Sequence, residues 1–271
     1  MVLAAWALPV FAAEAGPVRP EPHYVAGHAP DQAEGSRVLG QFRQAGITGT
    51  YWLRFELRVL PRKGDERVVQ GELFGSPGPA GPLTRISVED HRWLIQGGPP
   101  ASAWQSDTGG AARPVSAAAT LQPVAGTDLT IFDLQMPFLQ WADFVYEGLA
   151  EVRSRPAHQF LLYPPAELGA ARPELTGVRV YLDTVYQTLV QAEWLGPKGT
   201  AERSITLLDL KKVGDQWIPK SIDVRNLVTR EKTRLQVTAA ALNLHLPDDV
   251  FLPAQLAAPA PPVPAAAIVR F

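Results

Sequence analysis

Cysteine is absent from the chain of 271 residues. Its absence excludes disulfides, thiolate metal sites and cysteine nucleophiles, so the fold is held together by neither a disulfide framework nor a zinc–thiolate centre. Cysteine usage does not identify the compartment here, and other features have to indicate where the protein works.

Catalytic motifs are missing as well. The sequence has no glycine-rich dinucleotide-binding pattern, no phosphate-binding loop and no nucleophile elbow around a serine. Its five histidines never lie three or four residues apart, which is the spacing of paired metal ligands on a helix. Acidic pairs such as Asp248–Asp249 stand at turn positions, where carboxylates commonly bond to local backbone. We therefore expect a protein that is not an enzyme and that uses no metal and no cofactor.

A strong charge of one sign is also missing. The 25 basic and 27 acidic residues give a net charge of −2, and the two signs are interspersed. A surface that binds nucleic acid needs a basic stripe to neutralise phosphates, so we expect no nucleic-acid partner. A composition with 46% hydrophobic and 19% charged residues is typical of a globular domain.

The apolar run at residues 1–11 is too short to cross a bilayer, which takes about 20 residues. Ala12 and Ala13 follow it, and small residues after an apolar run are typical of the end of a secretory signal peptide. We interpret residues 1–13 as such a signal, although no basic residue precedes the run. The alternative is a poorly packed N-terminal tail. The signal interpretation places the protein in the periplasm.

From Thr50 onward, apolar residues recur at every second position, which predicts a strand that is buried on one face and wet on the other. The outward positions are charged: Arg54, Glu56 and Arg58. A turn with proline and glycine follows, and the next apolar run returns as the partner strand of a hairpin. The inward side chains, which we expect to line a binding cavity, are Tyr51, Leu53, Phe55 and Leu57.

About ten such strands, separated mostly by short turns, predict a mainly β (α+β) fold with a large, twisted antiparallel sheet. A helix is predicted at residues 31–44 and a loop-rich region at residues 97–124. We assign residues 31–256 to a single domain. The Ala/Pro-rich residues 257–271 are predicted to be a disordered tail.

The central segment, residues 126–148, is too rich in large apolar side chains for an ordinary surface helix. Thr127 or Asp128 is a candidate N-cap, and Pro137 is expected to divide the segment into two short helical pieces. A broken helix can move aside to admit a ligand, so the segment is either a movable lid or a fixed plug. Its predicted ligand-contacting side chains are Phe132, Leu134, Met136, Phe138 and Trp141.

Five strings in the second half of the chain share a characteristic order and spacing: GTDLTIFDL, VYEGLAEVRSRPAHQFLLYPP, VRVYLD, KKVGDQWIPKSIDVRN and KTRLQVTAAALNLHLPDDVFLPAQL. Together they resemble the outer-membrane lipoprotein-sorting proteins, the LolA-like group. The resemblance covers residues 126–256 and extends more loosely back to the predicted helix at residues 31–44. No single string is diagnostic; the order and spacing carry the likeness.

The resemblance implies a curved antiparallel sheet that forms an incomplete, unclosed β-barrel of about eleven strands, with helices covering an apolar cavity. Carriers of this family take the acyl chains of lipoproteins across the periplasm, and relatives bind other lipids or serve export systems. On this resemblance the central segment belongs to the lid, and Arg43, Arg54 and Arg58 are candidates to tether it.

Our leading hypothesis is a monomeric carrier that binds lipoprotein acyl chains or another lipid and moves them from an inner-membrane exporter to an outer-membrane acceptor. Burial of apolar surface drives such binding, at about 0.8 kcal/mol per methylene. The alternative is a structural or interaction protein of the envelope, accessory to an export system, whose own side chains fill the cavity. An envelope enzyme acting on lipid or glycan would need carboxylates or histidines that face the cavity, and their scattered positions do not suggest this.

Overall fold

The computed structural model describes residues 19–98, 100–107 and 110–271, and the predicted signal peptide at residues 1–13 lies outside them. The described residues contain fourteen strands, all in one sheet. The strands are β1 (Tyr51–Leu60), β2 (Arg67–Ser76), β3 (Leu83–Val88), β4 (His91–Gln96), β5 (Ser102–Asp107), β6 (Arg113–Pro114), β7 (Phe144–Val152), β8 (Arg155–Leu162), β9 (Gly177–Asp183), β10 (Leu189–Leu195), β11 (Ala201–Val213), β12 (Gln216–Asn226), β13 (Lys232–Ala241) and β14 (Val269–Arg270).

Short helices accompany the sheet, and no helix in the described ranges is long and apolar enough to span a bilayer. The α-helices are α1 (Gln32–Gln44), α2 (Ile131–Gln135) and α3 (Ala166–Ala171). The 3₁₀ helices are Ala119–Leu121, Pro137–Gln140, Asp248–Phe251, Pro253–Gln255 and Ala265–Ala267.

The sheet is antiparallel, curved and unclosed, and this confirms the predicted fold class. In space the strands run β6-β5-β4-β3-β2-β1-β13-β12-β11-β10-β9-β8-β7, with β14 added beside β13. Every contact along this path joins strands that are consecutive in the chain, except the one between β1 and β13. There Phe55 lies opposite Val237 and Leu57 opposite Leu235, so the two halves of the chain share one continuous core.

The count of about ten strands was too low because four strands were not predicted. Strands β5 and β6 lie in residues 97–124, predicted to be loop, β7 begins in the central segment predicted to be helical, and β14 lies in the tail predicted to be disordered. Strand β5 is only six residues long, and its apolar alternation is too brief to stand out in the sequence. Its pairing with β4, from His91–Asp107 to Gln96–Ser102, supplies the hydrogen bonds that make it a strand.

The domain begins before residue 31, where the sequence placed its start. Residues 19–30 run over the outer face of the sheet, opposite the main core. Both guanidinium nitrogens of Arg19 donate to the Asp143 carboxylate, at 2.8 and 2.9 Å. The backbone N–H of His23 donates to Glu147 Oε1 at 2.6 Å, and this fully buried carboxylate also pairs with Arg179.

Residues 257–271 are ordered, so the prediction of a disordered tail was wrong. The reason lies on the outer face, where a second apolar cluster needs cover: Trp52 of β1, Phe74 of β2, and Ala239 and Ala241 of β13. Partly buried apolar side chains from residues 244–268 pack over this cluster. Because Arg54, Glu56 and Arg58 lie on this face of β1, the alternation did not predict that the face is covered; Trp52 lies on the same face and is 1% exposed.

Two further contacts fix the C-terminal residues. The guanidinium of Arg85, 2% exposed on β3, donates to the carbonyls of Val250, Leu256 and Ala258. Strand β12 pairs with β13 only up to Ser221–Gln236, and β14 occupies the vacated side of β13 opposite Ala239 and Ala240. Proline-rich chain is therefore used as a covering strap, and only its last residues enter the ladder.

Helix α1 packs on the start of β7 through a glycine. Asp31 caps the helix by accepting from the Ala33 N–H at 2.9 Å, which confirms the helix predicted at residues 31–44. The side chain of Gln32 forms hydrogen bonds to both the N–H and the carbonyl of Tyr146. Gly35 is buried, and a Cβ there would overlap the Tyr146 side chain. Close approach of helix and strand thus depends on Gly35.

Substitution of the two α1 glycines tests this packing. We expect Gly35→Ala to destabilise the protein by about 1–3 kcal/mol, because the added methyl group would push the helix off β7. Gly40→Ala is the matched control, since no atom lies within 4 Å of its added Cβ, and it should stabilise the helix by up to about 1 kcal/mol. Equal effects in urea unfolding would contradict the packing.

A second pair of substitutions tests the order of the C-terminal strap. Ile268 packs on the Trp52 cluster, whereas the neighbouring Val269 is 45% exposed. Ile268→Ala should lower the free energy of unfolding by about 1–2 kcal/mol and Val269→Ala by well under 1 kcal/mol. In hydrogen exchange, the Phe271 N–H, which donates to the Thr238 carbonyl at 3.0 Å, should be protected. If the Phe271 N–H exchanges freely and neither substitution changes the free energy of unfolding, residues 257–271 are disordered in solution, as the sequence predicted.

Candidate functional site

The segment from Thr130 to Trp141, called the lid segment below, covers the inner face of the sheet. A capping box starts α2: the Thr130 hydroxyl accepts from the Asp133 N–H at 3.1 Å, and the Asp133 carboxylate accepts from the Thr130 N–H at 2.8 Å. Met136 then adopts a left-handed conformation, with φ 45° and ψ 49°, and Pro137 begins the 3₁₀ helix. The predicted break at Pro137 is confirmed.

The predicted N-caps Thr127 and Asp128 were wrong by a few residues. The Thr127 hydroxyl donates to the Val124 carbonyl at 2.8 Å and accepts from the Leu129 N–H, so it closes a turn. Asp128 is engaged by Thr233 of β13. Because these local bonds hold the chain out of helical conformation, the helix starts only at Ile131.

Phe132 and Phe138 of the lid segment pack against Trp194 of β10 in the interior, and Trp141 packs against these two phenylalanines. The ring centroids lie 5.4 Å apart for Phe138–Trp194, 6.2 Å for Phe132–Trp194 and 6.4 Å for Phe138–Trp141, all in edge-on geometry. Phe138 is fully buried, and Phe132 and Trp141 nearly so. Such aromatic pairs contribute about 0.5–1.5 kcal/mol each beyond the area that they bury.

Trp194 has an unusual feature within this cluster. The residue is 5% exposed, and its indole N–H has no hydrogen-bond partner among the described residues. A buried donor left unpaired costs about 1–3 kcal/mol. Trp194 was not singled out in the sequence analysis. It stands two residues after the inward Ala192, so the alternation of β10 could have assigned its side chain to the interior face.

The structure brings the predicted cavity residues together. Leu53, Phe55 and Leu57 of β1 are buried in the same core cluster as the aromatic side chains of the lid segment, and Tyr51, Leu134 and Met136 pack against it. All nine residues therefore belong to, or pack against, the same apolar core between the sheet and the lid segment.

Two open grooves lie elsewhere, and none of those nine residues lines either of them. One, of about 330 Å³, is lined by residues of β10, β11 and the nearby turns. The other, of about 200 Å³, lies between β4, β5 and residues 119–125. With the lid segment closed, its own aromatic side chains occupy the interior that the sequence predicted as a ligand cavity.

Arg43 of α1 is the first of two arginines that hold the lid segment closed. Its guanidinium donates to the Leu139 carbonyl at 2.6 Å and to the Trp141 carbonyl at 2.8 Å. Burial lowers the pKa of Arg43 from its ordinary value. Of the other two candidate tethers, Arg54 lies over Trp52 and Arg58 pairs with Glu66, both on the outer face.

The second arginine is Arg203 of β11, which was not among the tethers predicted from the sequence. It pairs with the buried Asp133 carboxylate and donates to the Asp128 carbonyl, which fastens α2 to the sheet. Burial raises the pKa of Asp133, against the opposing effect of the Arg203 charge. A signal existed: Arg203 falls on the same face as Ile205, so a charge stood at an inward position of an alternating strand.

The site offers apolar contact and few polar groups. Within the described ranges, no three histidine, aspartate or glutamate side chains are grouped so as to hold a metal ion. His158 bonds to the Tyr146 hydroxyl at 2.8 Å beneath α1, and burial lowers its pKa. The interior is therefore mainly apolar, and its polar groups are the unpaired Trp194 indole N–H and the two arginines bonded to the lid segment.

Arg43→Ala tests the first tether. Loss of its two charge-assisted hydrogen bonds should make the lid segment open more often, and we expect the amides of residues 131–141 to exchange with deuterium roughly tenfold faster or more. Arg37→Ala on the same helix is the control, since the one hydrogen bond of the Arg37 side chain among the described residues is to Gln41, at 3.5 Å and on the surface. Unchanged exchange in Arg43→Ala would mean that packing alone holds the segment.

Comparison with solved structures finds the same fold in several bacterial proteins. A DUF1329 family protein from Desulfovibrio piger superposes with a TM-score of 0.72 at 13% identity, covering 84% of this chain and all of that chain. A domain assigned as an outer membrane lipoprotein-sorting protein from Vibrio parahaemolyticus gives a TM-score of 0.71 at 15% identity, covering 81% and 97%. A LolA superfamily protein from Nitrosomonas europaea gives 0.60 at 11% identity, covering 80% and 96%.

These identities are low, so they establish the fold and not the activity. No curated protein matches the chain in sequence. A protein-family model described as an uncharacterized protein family matches residues 110–258, which is more than half of the chain. The chain therefore belongs to this family of uncharacterized proteins, and its fold is that of the LolA-like lipoprotein-sorting proteins.

Proposed function

We propose that the protein is an exported, periplasmic binding protein that carries an apolar ligand, either the acyl chains of lipoproteins or another lipid. One observation carries the proposal: the inward side chains of an unclosed sheet are covered by the buried aromatic side chains of a short, proline-broken segment. A short segment of this kind can move away from the sheet as a unit. The sheet would then present an apolar surface of the size that an acyl chain needs.

The contacts of the lid segment suit repeated opening. It is held at one end by Arg43 and at the other by the Arg203–Asp133 pair, and the left-handed Met136 lies between them. Hydrogen bonds to charged groups contribute about 1.5–3 kcal/mol each to stability, and these contributions add to the burial of the aromatic side chains in keeping the segment in place. A ligand that binds only the open form can offset these contributions.

The unpaired indole of Trp194 narrows the ligand chemistry. A ligand that brings an ester carbonyl or a carboxylate into the interior would satisfy this donor and relieve its cost. Arg203 lies nearby, with its guanidinium carbon 5.9 Å from the Trp194 ring, and could meet a negative charge. An acyl ester or a fatty acid fits these groups better than a plain hydrocarbon.

The proposal also includes a location for the protein and the kinds of partner that it would have. The apolar residues 1–13 support export, and the fold is shared with a domain assigned to outer-membrane lipoprotein sorting. A carrier in that compartment would receive its cargo from an inner-membrane exporter and deliver it to an outer-membrane acceptor. Its role would be binding rather than catalysis.

A second candidate function is favoured by the complete burial of Phe138. If the lid segment never leaves, the protein is an interaction module of the envelope that keeps the fold and fills its own interior. Binding and exchange measurements separate the two candidates.

Titration of delipidated protein with a dansylated fatty acid, followed by hydrogen exchange, tests the carrier proposal. We expect saturable binding that accelerates exchange at residues 131–141 and leaves β12 unchanged. Arg43→Ala should bind about tenfold more tightly, because part of the cost of opening is removed. Trp194→Phe should bind several-fold more weakly, because it lacks the indole donor.

Trp93→Phe is the control for Trp194→Phe, since Trp93 is equally buried in the same core but lies on β4. If neither the wild type nor Arg43→Ala binds the probe, the interior is a fixed plug and the interaction module stands. Binding without faster exchange of the lid segment would place the ligand elsewhere and contradict the proposed site.

A further inference from the structure

The larger groove lies on the outer face, away from the lid segment. Its apolar floor includes Val190, which belongs to a separate outer cluster with Val152, Ala157 and Tyr181. Its rim carries two aromatic and two basic side chains. The lining residues that matter are Arg153, Arg155, Tyr186, Val190, Leu210 and Trp217.

Apolar side chains are exposed together at this end of the sheet. Tyr186 and Trp217 are half exposed and lie edge to face, with ring centroids 5.9 Å apart, and Val185 beside them is 73% exposed. The loop that presents them is held in place, because the buried Asp183 carboxylate accepts from the N–H groups of both Val185 and Tyr186. A fixed loop that exposes a valine and a tyrosine is costly unless a partner covers it.

One of the two basic side chains of the rim carries a charge that no nearby carboxylate of the described residues neutralises. Arg153 donates only to the Leu207 carbonyl, at 3.2 Å, and has no acidic partner among the described residues. Arg155 lies 3.9 Å from the Asp183 carboxylate and over the Tyr186 ring. Asp209, the acidic residue of the groove, is neutralised by Lys220. The groove therefore favours an anionic partner.

An extended peptide is the less suitable partner. Beyond Thr206, β11 pairs only with β12, and its free edge could in principle accept a strand. However, the ladder register shifts twice, between Leu207 and Asp209 and between Asp209 and Leu210, and Arg153 covers the Leu207 carbonyl. Bulges and charged side chains are the means by which edges resist strand addition.

Aromatic side chains beside arginines are typical of protein surfaces that rest at a membrane interface, where rings sit at headgroup level and basic groups meet lipid phosphates. We infer that this groove is a docking surface for an anionic membrane. Tyr186, Trp217 and Val185 enter the headgroup region, and Arg153 and Arg155 contact phosphates. The inference goes beyond the carrier function and holds whether or not the interior takes a ligand.

Flotation of the full chain with vesicles tests the docking surface. Vesicles of phosphatidylglycerol mixed with phosphatidylcholine should bind the protein, and pure phosphatidylcholine vesicles should bind it much more weakly. Arg153→Gln should weaken partitioning about fivefold, which is the contribution of one basic residue near an anionic surface. Arg230→Gln is the matched control, because both arginines are exposed and have positive φ, 52° and 66°.

Apolar variants give the second comparison. Val185→Ser and Trp217→Ser should each weaken vesicle binding, roughly tenfold for the tryptophan. Val228→Ser is the control, since Val228 is 71% exposed but lies in the β12–β13 turn, outside the groove. All variants share residues 1–18, so any contribution of those residues to binding cancels in the comparison.

Vesicles with brominated acyl chains locate the contact. Wild-type tryptophan emission should be quenched, and Trp217→Phe should keep binding while losing most of the quenching. The inference is overturned if anionic vesicles fail to bind the wild type, if Val185→Ser and Val228→Ser behave alike, or if neutral vesicles bind as strongly as anionic ones.

Discussion

An unclosed sheet of fourteen strands leaves two broad faces, and large apolar side chains occupy both of them in this chain. Apolar area left in water costs about 25 cal/mol per Å², so each face has to be covered by other parts of the molecule. On the outer face the cover is irregular chain, residues 19–30 at one side and residues 244–268 at the other. On the inner face it is α1 and the lid segment. Every helix and strap described above serves one of these covers.

On the proposed carrier function, removal of the inner cover would open the interior to a ligand. Full burial of the three aromatic side chains of the lid segment contributes about 5–9 kcal/mol. An acyl chain of about fourteen methylenes would gain about 11 kcal/mol on entering the same space, before the cost of ordering it. The two quantities are of similar size, so the proposed exchange between lid segment and ligand would lie near balance. In that exchange Arg43 and the Arg203–Asp133 pair would oppose release of the lid segment.

The sequence predicted the parts of this arrangement that depend on local pattern. Alternation identified β1 and its inward Leu53, Phe55 and Leu57, and Pro137 identified the break in the lid segment. It failed where a residue's environment is made by distant chain. The outer face of β1 was predicted to be wet because the strap that covers Trp52 comes about 200 residues later, and proline-rich residues 257–271 were predicted to be disordered for the same reason.

Hydrogen bonds and ion pairs between residues far apart in the sequence were also not predicted. Arg43 was one of three candidate tethers, and only tertiary structure distinguishes it, through carbonyls about 100 residues away. The alternation of β11 places Arg203 at an inward position, which indicates a buried charge, but periodicity cannot identify Asp133 as its partner. Strand β5 was hidden because six residues carry too little alternation to outweigh the loop-like composition around them.

The central claim is that the interior exchanges its aromatic filling for an acylated ligand. Native mass spectrometry of the protein purified from an envelope fraction, followed by extraction and identification of bound lipid, tests it most directly. The account predicts a stoichiometric species that carries an acyl chain with an ester or carboxylate group, and release of that species on denaturation. Protein that is always recovered empty, and that also rejects fatty acid and lipopeptide in solution, would contradict the account and leave the lid segment as a permanent plug.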